Sequence, residues 1–493
     1  MAGWHVSTDS YIFTDTIFFV VYEWIFGPGP EALIVLPSVT YVLIVLACLA
    51  ASFRSLKPSR RNMAALAAIV LLVGLPSLRD PSIHLFAPAA PLLLPDHHAA
   101  SILFSLIALI LLAVLARAER IRDRWGAASV LVLVWAATLG SDPFALVFAF
   151  GPAILVLLSD LALVGGDKKQ VCLIIIVTAS SIIGLFIPIL LRQLGGPVGE
   201  ESVQLRFIEP EKFITNIQAI FFGFLYSADA YIFDRDPLNT ATFAHLARLT
   251  GWLVGAVFIL QSLPRLKRYW KGSLLDRIII TSIVTVALAC IFSEQFGFTL
   301  VGVDVFDGGE GRIYISPMII LGAVLVARAA PASEAWLRVK TIRSAGQICL
   351  VALAASLLVL QLPSALTLAL SPAWVKTNPY VEVGRWLEAK HLNYGIGDYW
   401  VSSIIRALTG GKVSVNAVIA RTGRRLEPYV FDTDAHFYRG TETPMFVLWR
   451  EGDDPFDWYG VNAKAVEATY GPVARTEYLP GGFVVKILRE PPD

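Results

Sequence analysis

Apolar residues in this chain run in blocks that are too long and too even for the amphipathic helices of a soluble domain. A helix crosses a hydrocarbon layer with about 20 apolar residues. Blocks of that kind fall at roughly 32–53, 62–78, 99–117, 126–140, 143–164, 171–193, 249–264, 278–296, 312–329 and 346–370. They predict about ten spans, several of them short. After residue 370 the pattern changes to a helical period in YVEVGRWLEAKHL and to short strand-like runs, KVSVNAVI, MFVLWRE and GFVVKIL, separated by Gly, Pro and Asp. The expected architecture is a polytopic α-helical membrane domain over 1–370, with an outer loop at 1–31 and a large outer loop at 194–248. A small external α/β domain at 371–493 follows.

The polar segments between the blocks orient them. Arg54, Lys57, Arg60 and Arg61 share one loop, and Arg117, Arg120, Arg122 and Arg124 another. Lys168 and Lys169, then the clusters around Arg265–Arg277 and Arg328–Arg343, continue the alternation. Alternate loops are basic, which places them on the cytoplasmic side. The intervening loops carry Asp9, Asp15, Asp96, Asp142, Asp307 and Glu310, and all seven histidines fall on that acid-rich side. This register leaves the amino terminus outside, so a helix ahead of residue 4 is expected unless the first span directs its own insertion. The stretch Tyr11–Phe26 is short and contains Asp15 and Glu23, costly groups at a bilayer centre, so it reads as an interfacial helix. EKFITNIQAIFFGF is a second amphipathic candidate, inside the large outer loop.

Composition agrees with the pattern: 56% of residues are hydrophobic and 16% charged, and mean hydropathy is +0.65, which excludes an ordinary soluble enzyme. A net charge of +1 gives no field for nucleic acid. Cys48, Cys172, Cys290 and Cys349 all lie in apolar runs and read as buried thiols rather than a disulfide framework.

Four polar constellations on the predicted outer side could do chemistry. In HVSTDS and the residues after it, a carboxylate desolvated by Phe13, Phe18, Phe19 and Trp24 would have its pKa raised and be poised to take a proton from a hydroxyl; Asp9 is the first candidate and Asp15 the second. Capping of the interfacial helix explains either aspartate equally well. In LPDHHAAS, Asp96, His97 and His98 stand at the mouth of a span, as a helix start or as groups that touch a phosphate; their spacing matches no metal motif. LGSDPFALVF makes a tight hairpin in which Asp142 suits the turn and shares the outer face with Asp9. In DVFDGGEGRIYISPM, Arg312 enters a span beside Gly308, Gly309 and Gly311, to fork onto a phosphate or to pair with Asp307, Glu310 or lipid.

An acidic first outer loop, interfacial helices, basic inner loops, an RxYxxP-like entry at Arg312, Tyr314 and Pro317, and an external α/β domain together resemble the GT-C superfamily of membrane glycosyltransferases. The likeness is nearest to the branch of protein O-mannosyltransferases and lipid A aminoarabinose transferases. It implies a polyprenyl-phosphate sugar as donor, a glycan, lipid or protein acceptor, no cofactor or metal, and work on the periplasmic face of a bacterial inner membrane. By that resemblance Asp9, or Asp15, is the base and Arg312 meets the donor phosphate; Tyr314 of the same entry motif, and Asp96, His97, His98 and Asp142 on the same predicted face, are the expected substrate-binding residues. Where the family carries an Asp-Glu pair this chain has Asp9-Ser10, and GDYW at 397–400 resembles an element of the family's external domains. The competing expectation is an envelope protein that binds or translocates lipid-linked sugar or polysaccharide without chemistry. Transport favours ionisable groups or broken helices at mid-membrane and repeated halves, and the sequence has few charges in its spans and no repeat.

Overall fold

The computed structural model describes residues 4–6, 13–14, 17–27, 32–53, 72, 99–165, 167–194, 198–199, 207–228, 230–233, 240–262, 273–293, 300–301, 305–306, 311–333, 379–420, 425–429, 433–434, 443–451, 461–472 and 475–488. The predicted spans at 346–370 and, apart from Leu72, at 62–78 lie outside them. The described elements of the first 333 residues are mainly helices: α1 (Ile17–Phe26), α2 (Ala32–Phe53), α3 (Ala99–Leu115), α4 (Trp125–Ser141), α5 (Gly151–Asp160) and α6 (Lys168–Gln193). Then come α7 (Phe213–Ser227), α8 (Thr240–Ser262), α9 (Leu274–Phe292) and α10 (Gly311–Ser333). Among the described residues, Val35–Phe53, Leu146–Leu163, Lys168–Leu191 and Leu274–Phe292 are long and apolar enough to cross a membrane. Ala99–Leu115, Trp125–Ser141 and Ile315–Ala329 are shorter apolar helices. Large side chains such as Leu46, Ile175 and Phe186 stand exposed on the outside of the bundle, a surface compatible with lipid.

Helices approach closely where small residues allow it. A Cβ on Gly184 of α6 would come within 2.8 Å of the Ala136 carbonyl oxygen and 2.7 Å of the Leu139 Cβ on α4, so glycine is what lets these two helices touch. Beside that contact Trp135 donates from Nε1 to the Ser181 hydroxyl (2.8 Å) and stacks on Phe150 at 4.0 Å. Gly184→Val is expected to lower stability by about 1–3 kcal/mol, the usual range for overpacking, read as an earlier midpoint of SDS-induced unfolding.

The predicted span 143–164 is not a uniform helix. Wide π turns at Leu146–Phe150 and Leu161–Gly165 flank α5. Pro152 has no N–H to continue the ladder, and the Gly151 N–H reaches back to the Leu146 carbonyl, where a Cβ would be 2.6 Å from that oxygen.

Several of the basic residues that the sequence puts in alternate loops gather at one end of the bundle. At one end Arg277 pairs with Asp160, and Arg328 with Asp276, while Arg328 also donates to the Ala51 carbonyl (2.8 Å) and to the Ser273 hydroxyl (3.2 Å). Lys169 there caps the end of α3 through the carbonyls of Ala116 (2.9 Å) and Ala118 (3.3 Å). At the opposite end, α7 is stapled to the last turn of α9 by the Asn216 amide, which donates to the carbonyls of Cys290, Ile291 and Ser293, each at 3.1 Å. Cys48 and Cys290 are buried as expected; Cys172 is exposed on the outside of α6, and Cys349 lies outside the described residues.

Short strands β1 (Trp4–Val6) and β2 (Val198–Gly199) occur within the first 333 residues, as does a hairpin of β3 (Leu300–Val301) and β4 (Val305–Phe306) ahead of α10. The carboxy-terminal domain holds α11 (Pro379–Ala389), β5 (Tyr394–Gly397), α12 (Tyr399–Leu408), β6 (Ser414–Ile419), β7 (Glu427–Pro428) and β8 (Thr433–Asp434). It ends with β9 (Phe446–Arg450), α13 (Ala463–Tyr470), β10 (Arg475–Leu479) and β11 (Phe483–Ile487). Six strands form a mixed sheet in the order β10-β11-β9-β5-β6-β7, with β5 parallel to both neighbours. Val383, Leu387, Val401 and Ile405 from α11 and α12 cover one face, and Val466 of α13 packs on Val447 and Trp449 of the other. The three strand-like runs read from the sequence are β6, β9 and β11.

Candidate functional site

The described end of the site is the turn after α4. Ser141 and Asp142 are both fully buried. The Asp142 N–H closes α4 onto the Thr138 carbonyl (2.8 Å), and its Oδ1 accepts from the Phe144 N–H at 3.0 Å, the local bond that makes aspartate a turn residue. Pro143 then starts the next helical segment. Into this turn comes the opening segment of the chain: the Phe13 N–H donates to the Ser141 Oγ (2.8 Å), and Thr14 is fully buried. Phe18 of α1 stacks on Phe104 of α3 at 5.8 Å, which lays α1 against the same end of the bundle.

The other side of the opening segment is held by strands. β1 pairs in parallel with β2, His5 opposite Val198, and antiparallel with β8 of the carboxy-terminal domain, Trp4 opposite Asp434. Asp9 and Asp15 lie outside the described residues.

Asp96, His97 and His98 also fall outside the described residues, directly before the first residue of α3. Arg312 and Tyr314 occupy the first turn of α10 by backbone; their side chains are outside what is described. The backbones of these elements nevertheless meet. Pro317 of α10, Ile102 and Ser105 of α3, and Phe148 and Ala149 of the π turn surround one small cavity. The start of α3, the Asp142 turn and the start of α10 therefore share one end of the bundle, about one to two turns beyond that cavity.

A buried histidine and a buried arginine deeper in the bundle escape the sequence reading. α8 begins at Thr240, nine residues before the predicted span, so His245 and Arg248 lie on a helix rather than in a loop and are 1% and 2% exposed. Trp252 meets Gly322 and Gly255 meets Val326, so α8 and α10 run parallel, and the same offset sets Arg248 beside Met318. The Arg328 bond to Ala51 aligns α2 with α10 in a way that brings Tyr41 to that level too, and Tyr41 and Arg248 are close enough to interact electrostatically. Tyr41 in turn donates its hydroxyl to the Leu72 carbonyl. Arg248 thus sits about 9 Å below Arg312 along the bundle, six residues at about 1.5 Å each. The buried hydroxyls of Ser101 and Ser105 on α3 find no hydrogen-bond partner among the described residues, an arrangement that costs free energy in an apolar interior. The i, i+3 spacing in AHLAR was a legible signal; reading 194–248 as loop hid it.

GDYW resolves into a strand end and a helix start. β5 stops at Gly397 while β9 runs on to Arg450 and β6 to Ile419, leaving a notch between them where α12 begins. Asp398 caps α12 by accepting from the Val401 N–H (2.9 Å). Because β5 connects to neighbours on both sides, this notch is the switch point of the parallel part of the sheet, the place where open α/β sheets receive ligands. Among the described residues no three His, Cys, Asp or Glu side chains gather as a metal site.

No protein-family model matches the chain, and no curated protein matches it. The site's reading therefore rests on its own geometry.

Proposed function

We propose that the protein is an integral membrane glycosyltransferase that moves a sugar from a polyprenyl-phosphate donor to an acceptor hydroxyl. The observation that carries this reading is the pinning of the acid-bearing opening segment. Phe13 is tied to Ser141 at one side of it, and β1 is paired with the outer loop and the external domain at the other. The segment is tied at one side to the end of an apolar bundle, whose interior holds the buried Arg248, and at the other to the carboxy-terminal domain. Those are the surroundings that a lipid-borne sugar phosphate and a water-borne acceptor both require.

In this reading about ten spans seat the bundle in a bacterial inner membrane, with the external domain in the periplasm. Asp9 takes the proton of the incoming hydroxyl as its oxygen attacks the anomeric carbon, and Asp15 is the second candidate for that role. The bond from that carbon to the phosphate oxygen breaks through an oxocarbenium-like transition state. Polyprenyl phosphate departs with its charge met by Arg312, by His97 or His98, and from below by Arg248 and His245. Asp142 holds the turn that receives the opening segment, Tyr314 lines the donor's path, and Asp96 orders the start of α3. The acceptor, a glycan, lipid or protein, approaches along the external domain.

The test is release of polyprenyl phosphate from a panel of polyprenyl-phosphate sugars by the purified full chain in liposomes, with acceptor extract supplied. Release from at least one donor, with sugar appearing on an acceptor, is the expected result. Binding of donors with no release from any of them would sink the transferase reading in favour of a carrier of lipid-linked sugar.

A further inference from the structure

At the end of the bundle opposite the candidate site, a cleft of about 600 Å³ opens between the end of α3, the end of α5 and the starts of α6 and α9. Its charged lining is Arg117, Lys169 and Arg277 against Asp160 and Asp167. Both carboxylates are already engaged. Asp160 pairs with Arg277, and Asp167 accepts from the Gln170 N–H (2.8 Å) at the start of α6. Gln170 in turn donates from its side chain to the Leu157 carbonyl (3.0 Å). The lining therefore keeps a positive balance. Two long helices, α6 and α9, also begin at it, and their amino-terminal ends favour negative charge. At α9 the Ser273 side chain makes no cap; its hydroxyl is taken by Arg328 instead.

The flank of this cleft is as informative as its floor. Leu158 and Leu163 of the α5 region and Val171 and Ile175 of α6 stand exposed, each within two residues of a lining residue, and offer an apolar strip at the cleft's edge. A soluble anion has no use for such a strip, whereas an acyl chain does. We infer that this cleft binds the phosphate-bearing headgroup of an anionic phospholipid, with the phosphate between Arg117 and Lys169 and a chain along α5 and α6. The inference rests on the bundle's being embedded in a bilayer, and it needs no sugar donor, so a silent release assay leaves it standing.

The experiment is native mass spectrometry of the delipidated full chain in detergent, titrated with phosphatidylglycerol or phosphatidylcholine. Phosphatidylglycerol is expected to be retained about tenfold better, and Arg117→Gln to cut that preference about fivefold, as expected for one cation near an anionic headgroup. Lys169→Gln is expected to act in the same direction, with its melting temperature recorded because Lys169 also caps α3. Equal retention of the two lipids, or a preference untouched in both variants, would overturn the site. Glycerol 3-phosphate is expected not to displace the lipid at equal concentration; if it does, the phosphate site stands but its occupant is a soluble phosphate ester.

Discussion

Asp9→Asn is expected to slow release of polyprenyl phosphate by about 10²- to 10⁴-fold, the range that a positioned general base contributes. The amide keeps the side chain's size and its capacity to accept a capping hydrogen bond, but it cannot take a proton from a hydroxyl. That makes the substitution a test between the two roles open to this residue. If Asp9 only shapes the entry of α1, the asparagine variant keeps its rate, because asparagine caps helices as well as aspartate does. Asp15→Asn, run alongside, is expected to stay within about tenfold of the parent, since Asp15 is the second candidate for the proton. Collapse of the Asp15 variant with an active Asp9 variant would exchange the two assignments. Asp142→Asn provides the control for position. Its Oδ1 still accepts from the Phe144 N–H, so the turn that receives Phe13 survives while the charge is lost.

The second large effect concerns stability at the other end of the bundle. Asp160→Asn is expected to destabilise the chain by about 3 kcal/mol or more, because removing one partner of a buried ion pair leaves the other charge uncompensated. The Arg277 and Asp160 side chains are 8% and 14% exposed, well inside the range in which solvent does little to screen the orphan. A shift in the midpoint of SDS-induced unfolding, followed by the Trp fluorescence of the bundle, measures it. The double variant Asp160→Leu with Arg277→Leu is expected to recover most of that loss, since replacing both charges by apolar groups of similar shape removes the desolvation cost as well as the attraction. A single variant as stable as the parent would mean that the pair is solvated and contributes no more than an exposed surface bridge. The same pair borders the cleft assigned to a phospholipid headgroup, so the measurement belongs in detergent without anionic lipid.

Much of the architecture was legible because it is written in local patterns. The apolar blocks at 32–53, 99–117, 126–140, 171–193 and 278–296 agree with helices to within a few residues, since hydrophobic run length and helix formation depend on the same neighbouring side chains. Alternation of basic loops told the two ends apart, and the structure places Lys169, Arg277 and Arg328 together at one of them. The carboxy-terminal domain announced itself by a switch from long apolar runs to short strand-like ones, and β6, β9 and β11 are those strands. The start of α8 was missed by nine residues because its first turns, TATFAHLAR, are polar enough to pass for loop; the residues of these turns that other helices bury include the polar His245 and Arg248, while Phe243 and Leu246 stand exposed.

What the sequence could not disclose are contacts made across long separations. Phe13 and Ser141 are 128 positions apart, and nothing in either stretch names the other. The joining of β1 to β2 and to β8 of the carboxy-terminal domain is likewise a matter of backbone hydrogen bonds, which carry no side-chain signature. Arg248 is buried beside Tyr41 only because α2, α8 and α10 run parallel in one particular register. Apolar periodicity says that a helix has a face to bury; which helix buries it, and which polar groups are swept inside together, is decided by how side chains of different segments interlock.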